Sequence, residues 1–576
     1  MIDPDSLHAT ARAWIASDPD PVTRAELQCL LEEPSTHEEL ESRLTPLDFG
    51  TAGLRGLMGA GPGRMNIAVV RRVTRGLAEH ILAQRGDELA HPVVVGYDAR
   101  VDSNRFAEEA AGVLVAAGIP VRYFTAPVAT PFVAFAAQRL GAAAAITVTA
   151  SHNPAGYNGY KVYGRDAAQI VAPNDADVAA RTAALGPACA IPTVSGTLHG
   201  ASSLAEPVPG DLFEHYWTAL TKLRAFSSPP AAIDIVYTPL HGVGWAPFQE
   251  VMARAGYGQP RVVASQAAPD GHFPTLPFPN PEEPGVMDQA LALARASGAD
   301  LVIANDPDAD RMSACVPEAD GSWRQLTGNQ IGLLLADDLL ARAPKDREPL
   351  VVSTVVSTPL LGAIVRAHGA FLERTLTGFK WQWCAAPELE RLGKRFVFAF
   401  EEAIGFCPGP AVRDKDGISS GLLLADLAAR CRVEGSSLLE RLFDLYDQHG
   451  LWVSLGVNVV RGEPGGGETI RRAIDELAAH PPATLVDERI VEFEDYRQGA
   501  ENRPRWRPAT ELIRLGLQSG GRIIVRPSGT EPKLKVYVDL SALPGPRCTL
   551  RERERDALDR AAALGRSVLS RLGLGP

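Results

Sequence analysis

Three aspartates alternate in the run Asn305-Asp306-Pro307-Asp308-Ala309-Asp310-Arg311. In an extended segment, residues i, i+2 and i+4 project from one face. Three carboxylates brought together repel one another unless a cation lies among them. Ligands that are all oxygen select a hard cation, Mg²⁺ or Ca²⁺. An EF-hand loop also opens Asp-x-Asp-x-Asp, but it needs glycine at its sixth position and glutamate at its twelfth. Here those positions are Arg311 and Pro317. Carboxylates at a strand end leave Mg²⁺ with open coordination positions, as phosphoryl transfer requires. The alternative is a solvated acidic turn. Arg311, an anion partner in the same loop, favours the metal.

Two further groups could grip anions or sugars. Val525-Arg526-Pro527-Ser528-Gly529-Thr530-Glu531 delivers an arginine, two hydroxyls and a glycine into a tight turn. An arginine fork holds phosphate through two bonds, and exposed backbone N–H groups complete a nest. A capped turn is the competing reading. Thr377-Gly378-Phe379-Lys380-Trp381 and Phe400-Glu401-Glu402-Ala403-Ile404-Gly405 form the other group. Acidic residues directly after a strand can accept hydrogen bonds from sugar hydroxyls, although helix N-termini also favour acids. Asp414-Lys415-Asp416-Gly417 alone looks like any polar turn, and the glycine-dense stretch around Arg55 like a surface loop.

Ser151 completes the set. It follows Ile146-Thr147-Val148-Thr149-Ala150, an apolar, β-branched run that reads as a buried strand, and it opens the turn Ser151-His152-Asn153-Pro154. In open α/β sheets ligands bind just beyond the carboxyl ends of strands. A serine there is a nucleophile, a phosphate carrier or an ordinary turn residue.

The elements that must position these groups repeat. Strands at Val93–Tyr97, Val121–Phe124 and Ile146–Val148 alternate with helices at about 104–117 and 130–140, which implies a parallel, doubly wound sheet. A second set has strands at Ile233–Tyr237, Arg261–Val263 and Leu301–Ala304. A third has strands at Leu350–Val356 and Phe396–Phe400. From about residue 445 strands group with fewer helices, which suggests a smaller α+β domain. Residues 1 to about 45 read as an amphipathic helical lead-in.

Length and composition set bounds. The chain has 576 residues, 45% hydrophobic and 22% charged, enough for several cored domains. A net charge of −12 argues against nucleic-acid or anionic-membrane partners. The seven cysteines are scattered and form no Cys-x-x-Cys pair, which disfavours metal and disulfide frameworks and fits a cytoplasmic setting. No secretory signal and no membrane span are expected.

In this order the motifs resemble those of the α-D-phosphohexomutase superfamily, nearest its phosphoglucomutase/phosphopentomutase branch. Thr149-Ala150-Ser151-His152-Asn153-Pro154 looks like its phosphoserine loop and Asp306–Arg311 like its Mg²⁺ loop. Thr377-Gly378 with Glu401-Glu402-Ala403 looks like its sugar-binding region, and Arg526-Pro527-Ser528-Gly529-Thr530 like its phosphate-binding loop. The resemblance implies four domains around a central cleft, three of them similar α/β units and the last α+β: 1–205, 206–319, 320–445 and 446–576. It implies a phosphosugar mutase, with glucose phosphate the first choice and pentose or mannose phosphate the alternatives. Ser151 carries the phosphoryl group, Mg²⁺ is held by Asp306, Asp308, Asp310 and a Ser151 phosphate oxygen, and glucose 1,6-bisphosphate is the intermediate and activator.

Further roles follow from the same resemblance. Lys161 and Arg55 lie near the phosphoserine, with Lys161 as general base. His152 completes the catalytic set but buttresses the loop, because neighbours at a strand end point apart. Arg311, Thr377, Gly378, Lys380, Glu401, Lys415, Arg526, Ser528, Gly529 and Thr530 contact substrate. Ala403 stands where many members have serine. A small sugar phosphate is the expected partner of a cytoplasmic monomer or homodimer. A metal-dependent phosphomonoesterase and a non-catalytic sugar-phosphate sensor are the readings from other classes. The first has no use for a second phosphate nest, and the second none for Ser151 with three aspartates.

Overall fold

The structure is a computed structural model that describes residues 4–33, 37–47, 53–84, 91–462, 465–528 and 533–575. The lead-in folds as three helices, Pro4–Ser17, Pro21–Glu32 and His37–Leu44. Their apolar faces meet at Leu7, Ala11, Leu27, Leu40 and Leu44.

The first sheet has six strands in the order Leu54–Leu57, Tyr157–Tyr163, Ala144–Val148, Val93–Tyr97, Val121–Tyr123 and Ala205–Pro207. The last four pair in parallel. Tyr157–Tyr163 runs antiparallel to both of its neighbours, so the sheet is mixed and not purely parallel. The cause is local. After Ser151 the chain turns back within a few residues, and so short a connection can join only antiparallel strands. Helices Ile67–Ala83, Ser103–Ala116 and Thr130–Arg139 supply much of the cover, and the core is Val, Ile, Leu and Ala with a buried Tyr160.

The second sheet includes, side by side, Met312–Pro317, Leu301–Asn305, Ile235–Thr238 and Arg261–Val262. Leu301–Asn305 is buried along its whole length, as the continuous apolar run demands, and Met312–Pro317 returns antiparallel beside it. The aspartate loop is therefore a hairpin turn in the middle of this sheet.

The third sheet has the order Phe371–Thr375, Glu348–Thr354, Lys394–Glu401 and Gly405–Pro408. The fourth is an antiparallel sheet of six: Trp452–Val460, Lys533–Ser541, Arg522–Pro527, Ile513–Leu517, Glu488–Asp495 and Thr484–Leu485. Helices Gly466–Ala479 and Leu550–Arg571 cover it through Ile470, Ile474, Leu564 and Val568. The four-domain α/β architecture read from the sequence is the one observed.

The chain divides into two compact units, Met1–Pro317 with Gly409–Asp426, and Glu318–Pro408 with Leu427–Pro576. Within the span 320–445, Gly409–Asp426 thus packs with the first unit. The limit at 445/446 falls inside the helix Leu438–His449. Among the described residues no helix is long and apolar enough to cross a membrane.

Candidate active site

Ser151 ends a strand whose five residues, Ala144–Val148, are all buried. Its φ of 52° puts it in the left-handed region, a conformation that costs a non-glycine residue energy and is held only by its surroundings. Those surroundings are specific. The Ser151 N–H donates to Thr149 Oγ1 at 2.8 Å, and that hydroxyl donates to Asp98 Oδ2 at 2.6 Å. The buried Arg100 guanidinium donates to the carbonyls of Ser151 at 2.6 Å, Pro154 at 2.9 Å and Tyr157 at 3.2 Å, and also to that of Asn153. Arg55 Nη1 donates to Asn153 Oδ1 at 3.1 Å. Burial, with Arg311 close by, pushes the Arg55 guanidinium down to about 10.

His152 does not point away. Its Nδ1 lies 3.2 Å from Ser151 Oγ, and its ring stacks on Phe278 with centroids 6.0 Å apart. The alternation expected at a strand end fails because the left-handed Ser151 breaks it. Burial, reinforced by Arg311 and Arg55, holds His152 well below its usual range, so the imidazole is neutral. Ser151 Oγ also lies 2.8 Å from Asp306 Oδ2.

The aspartates meet, but across a turn and not along the extended segment that their spacing suggested. One oxygen from each of Asp306, Asp308 and Asp310 lies within 4.8 Å of the others, and all three side chains are buried. The turn is set by Ala309 at φ 55° and by the Arg311 N–H donating to Asp306 Oδ1 at 3.0 Å. Thr130 holds the second aspartate twice, Oγ1 to Asp308 Oδ2 at 2.7 Å and N–H to its carbonyl at 2.9 Å. Lys161 Nζ donates to Asp308 Oδ2 at 2.7 Å and Asp310 Oδ2 at 2.8 Å. Lys415 Nζ lies 3.0 Å from both Asp310 Oδ2 and Asp414 Oδ1.

These contacts bear on two expectations. Burial pulls the Lys161 ammonium down, but Asp308 and Asp310 outweigh it and the net shift is upward. An ammonium clamped by two carboxylates is held protonated in this arrangement. Lys415 stands at the aspartate cluster, a placement its position between the sugar-loop strands and the last domain did not suggest. Its segment is tied down by Tyr163 and Gln169 to Asp414 at 2.7 and 2.9 Å, and by Tyr216 to Asp416 at 2.9 Å.

The cluster fits a divalent cation. Lys161 and Lys415 pair directly with three carboxylates, Asp308, Asp310 and Asp414, and Asp306 completes the cluster. Asp308 Oδ1 and Asp310 Oδ1 are buried without a hydrogen-bond partner, and an all-oxygen set of this kind suits a hard divalent cation. Burial raises Asp306 well above the carboxylate range, with Asp308 and Asp310 adding to it. Burial also opposes ionisation of Asp308, yet Lys161 outweighs it and the net shift is downward.

The second unit carries the other predicted residues. Glu401, at the end of Lys394–Glu401, accepts the Gly378 N–H, and Gly378 adopts φ 111°, where a side chain is strained. Glu402 accepts from Thr354 Oγ1 at 3.1 Å and Ser357 Oγ at 3.4 Å. Thr377 precedes this turn. Lys380 Nζ lies 5.4 Å from the Trp381 ring centroid. Arg526 sits opposite Lys535 on a hairpin. The Ser528 N–H closes the loop on the Lys533 carbonyl at 2.7 Å. Gly529 and Thr530 lie outside the described residues. Trp381 and Tyr537 pack on one cluster with Val355, Leu376 and Ile524, so the sugar and phosphate loops are built on a shared core.

Models of one family cover the chain in order: phosphoglucomutase/phosphomannomutase α/β/α domain I over residues 46–187, domain II over 214–321, domain III over 327–446 and the C-terminal domain over 491–540. The chain belongs to this family. Among its relatives are a protein named "Probable phosphomannomutase" from Haemophilus influenzae, 35% identical over 82% of this chain and 93% of its own, and the phosphopentomutase of Homo sapiens, 34% identical over 92% and 91%. The phosphoglucomutase of Staphylococcus epidermidis is 33% identical over 88% and 93%. The fold is shared with the phosphoglucomutase-type phosphoprotein pp63/parafusin of Paramecium, at a TM-score of 0.66 and 17% identity over 90% of this chain and 96% of that one. The chain is therefore a phosphosugar mutase of the phosphohexomutase type, an intramolecular phosphotransferase.

Proposed function

We propose that this mutase interconverts glucose 1-phosphate and glucose 6-phosphate, with Ser151 as phosphoryl carrier and glucose 1,6-bisphosphate as intermediate. The observation that carries the reading is the Ser151 hydroxyl, 2.8 Å from Asp306 in a buried carboxylate triad. Asp306, Asp308 and Asp310 would hold Mg²⁺ together with a phosphate oxygen on Ser151. That ion supplies charge neutralisation to the phosphoryl group in flight.

The protein's own residues do the rest. Arg100, Thr149 and Asp98 fix the direction of Ser151, which gives the near-attack geometry that phosphoryl transfer depends on. Arg55 and Arg311 bring positive charge to the same loops. When a sugar hydroxyl oxygen bonds to phosphorus, it loses its proton. When the serine oxygen leaves phosphorus, it gains one. His152, neutral and in contact with that oxygen, is assigned to take up the proton that the sugar hydroxyl loses and to return it to the serine oxygen, in place of Lys161. Lys161 and Lys415 hold the carboxylates together. Glu401, with Gly378 and Thr377, is assigned to sugar hydroxyls, and Arg526 and Ser528, with Lys380, to the phosphate that does not react.

A second reading, a phosphopentomutase acting by the same chemistry, is favoured by the human relative of that name at 34% identity and by Ala403 after the paired glutamates. A phosphomannomutase is the third. Values of kcat/KM on glucose, ribose and mannose 1-phosphates, measured side by side, separate them. Glucose 1-phosphate is expected to lead, and a larger value for either rival replaces the glucose assignment.

A further inference from the structure

Apart from the groups above, a cavity of about 280 Å³ lies within the second unit, lined from both the third and fourth sheets. Its charged walls are Arg374, Arg507, Arg514 and Arg522, against the single carboxylate of Glu494. Some of these arginines are partly committed. Arg522 Nε donates to Asp539 Oδ2 at 2.7 Å and its Nη2 to the Ser357 carbonyl at 2.6 Å, and Arg514 Nη1 lies 3.0 Å from Glu492 and 3.6 Å from Glu494. Arg374 donates to the carbonyls of Thr354, Ser357 and Thr358 at 3.1 to 3.2 Å, and among the described residues no carboxylate pairs with it. Arg507 approaches Glu373 only to 3.6 Å, and its Nε is buried without an acceptor. Burial, with Arg522 alongside, pushes Arg374 down to about 9, with Asp539 opposing the shift.

We propose that this cavity is a second anion site, built for a phosphate group, either free or carried by a small phosphate ester. Planar guanidinium forks match phosphate oxygens in pairs, and several around one space supply the donors that a dianion needs. The volume is at the lower end of ligand pockets and suits a small molecule. Glu494 and the Tyr496 side chain on the same wall offer partners for hydroxyls of an ester. None of the residues assigned to the reaction lines this cavity, so the site stands independently of the mutase reading.

The test is equilibrium dialysis of the full chain with labelled orthophosphate, in the wild type and in the Arg526→Ala, Arg526→Ala/Arg507→Ala and Arg526→Ala/Arg507→Lys variants. Arg526→Ala removes the phosphate loop's contribution and is expected to retain one saturable site. Adding Arg507→Ala should weaken that site about tenfold or more, the scale of a lost charge-assisted hydrogen bond. Arg507→Lys, which keeps the charge and spares the fold, should weaken it about threefold through loss of the fork. Competition by unlabelled orthophosphate and by glycerol 3-phosphate then tells the two sources apart, the tighter competitor being the form bound. Absence of a saturable site in Arg526→Ala, or unchanged affinity in both Arg507 variants, overturns the proposal.

Discussion

At the scale of single residues, the site turns on how charge is distributed among groups that water does not reach. Asp306 is raised by burial and by its two neighbours, so between the ordinary carboxylate range and its elevated value it keeps a proton that a cation must displace. Mg²⁺ affinity is therefore expected to rise with pH until Asp306 ionises. Titration calorimetry at several pH values checks this, and a pH-independent affinity contradicts it. His152→Ala is expected to lower kcat by about 10²- to 10⁴-fold with Mg²⁺ affinity little changed, as for loss of a proton-transfer group. Lys161→Ala should instead destabilise the metal-free protein, read as a lower denaturant midpoint, because it strips a cation from two buried carboxylates. The aspartate triad was legible from its composition, three carboxylates within five residues at a strand end, although a turn at Ala309 and not an extended segment brings them together. The placement of His152 was not, because a single left-handed residue reverses where the next side chain points.

At the scale of elements, strand ends are what the sequence shows most clearly. Buried strands such as Val93–Tyr97 and Leu301–Asn305 are continuous apolar runs, and each motif follows one. What stayed hidden is what holds the loops. Asp98 and Arg100 stand in the polar turn after Val93–Tyr97, yet nothing in their spacing says that Arg100 will reach the carbonyls of Ser151 and its followers more than fifty positions away. Thr130 at a helix start, holding Asp308, is another such case. Gly417 is a third. A Cβ there would lie 2.3 Å from the Arg311 carbonyl oxygen, so the Lys415 segment can approach the aspartate loop only as glycine. Gly417→Ala is expected to destabilise the protein by about 1–3 kcal/mol, an overpacking cost, and to lower kcat as Lys415 shifts. Denaturant midpoints and steady-state kinetics read both effects, and a neutral outcome in both contradicts this view of the segment.

At the scale of the whole molecule, the succession of α/β sets and the antiparallel end domain was readable from alternation alone, because hydrophobic period and turn residues encode layers. How the chain groups was not. Gly409–Asp426 leaves its sequence neighbours to pack with the first unit, drawn by polar side chains such as Tyr163, Gln169 and Tyr216 whose partners lie far along the chain. The choice of sugar is a property at this scale as well, and the family admits glucose, mannose and pentose phosphates alike. What all three readings share is a phosphoryl group carried on Ser151. The most direct measurement is peptide mass spectrometry of the protein after incubation with glucose 1,6-bisphosphate and Mg²⁺, alongside turnover of Ser151→Ala. One phosphoryl group on the peptide containing Ser151, none in Ser151→Ala or after chelation of the metal, and no turnover in the variant are the predicted results. An unmodified Ser151 in active protein, or a Ser151→Ala variant that turns over at the wild-type rate, would contradict the account.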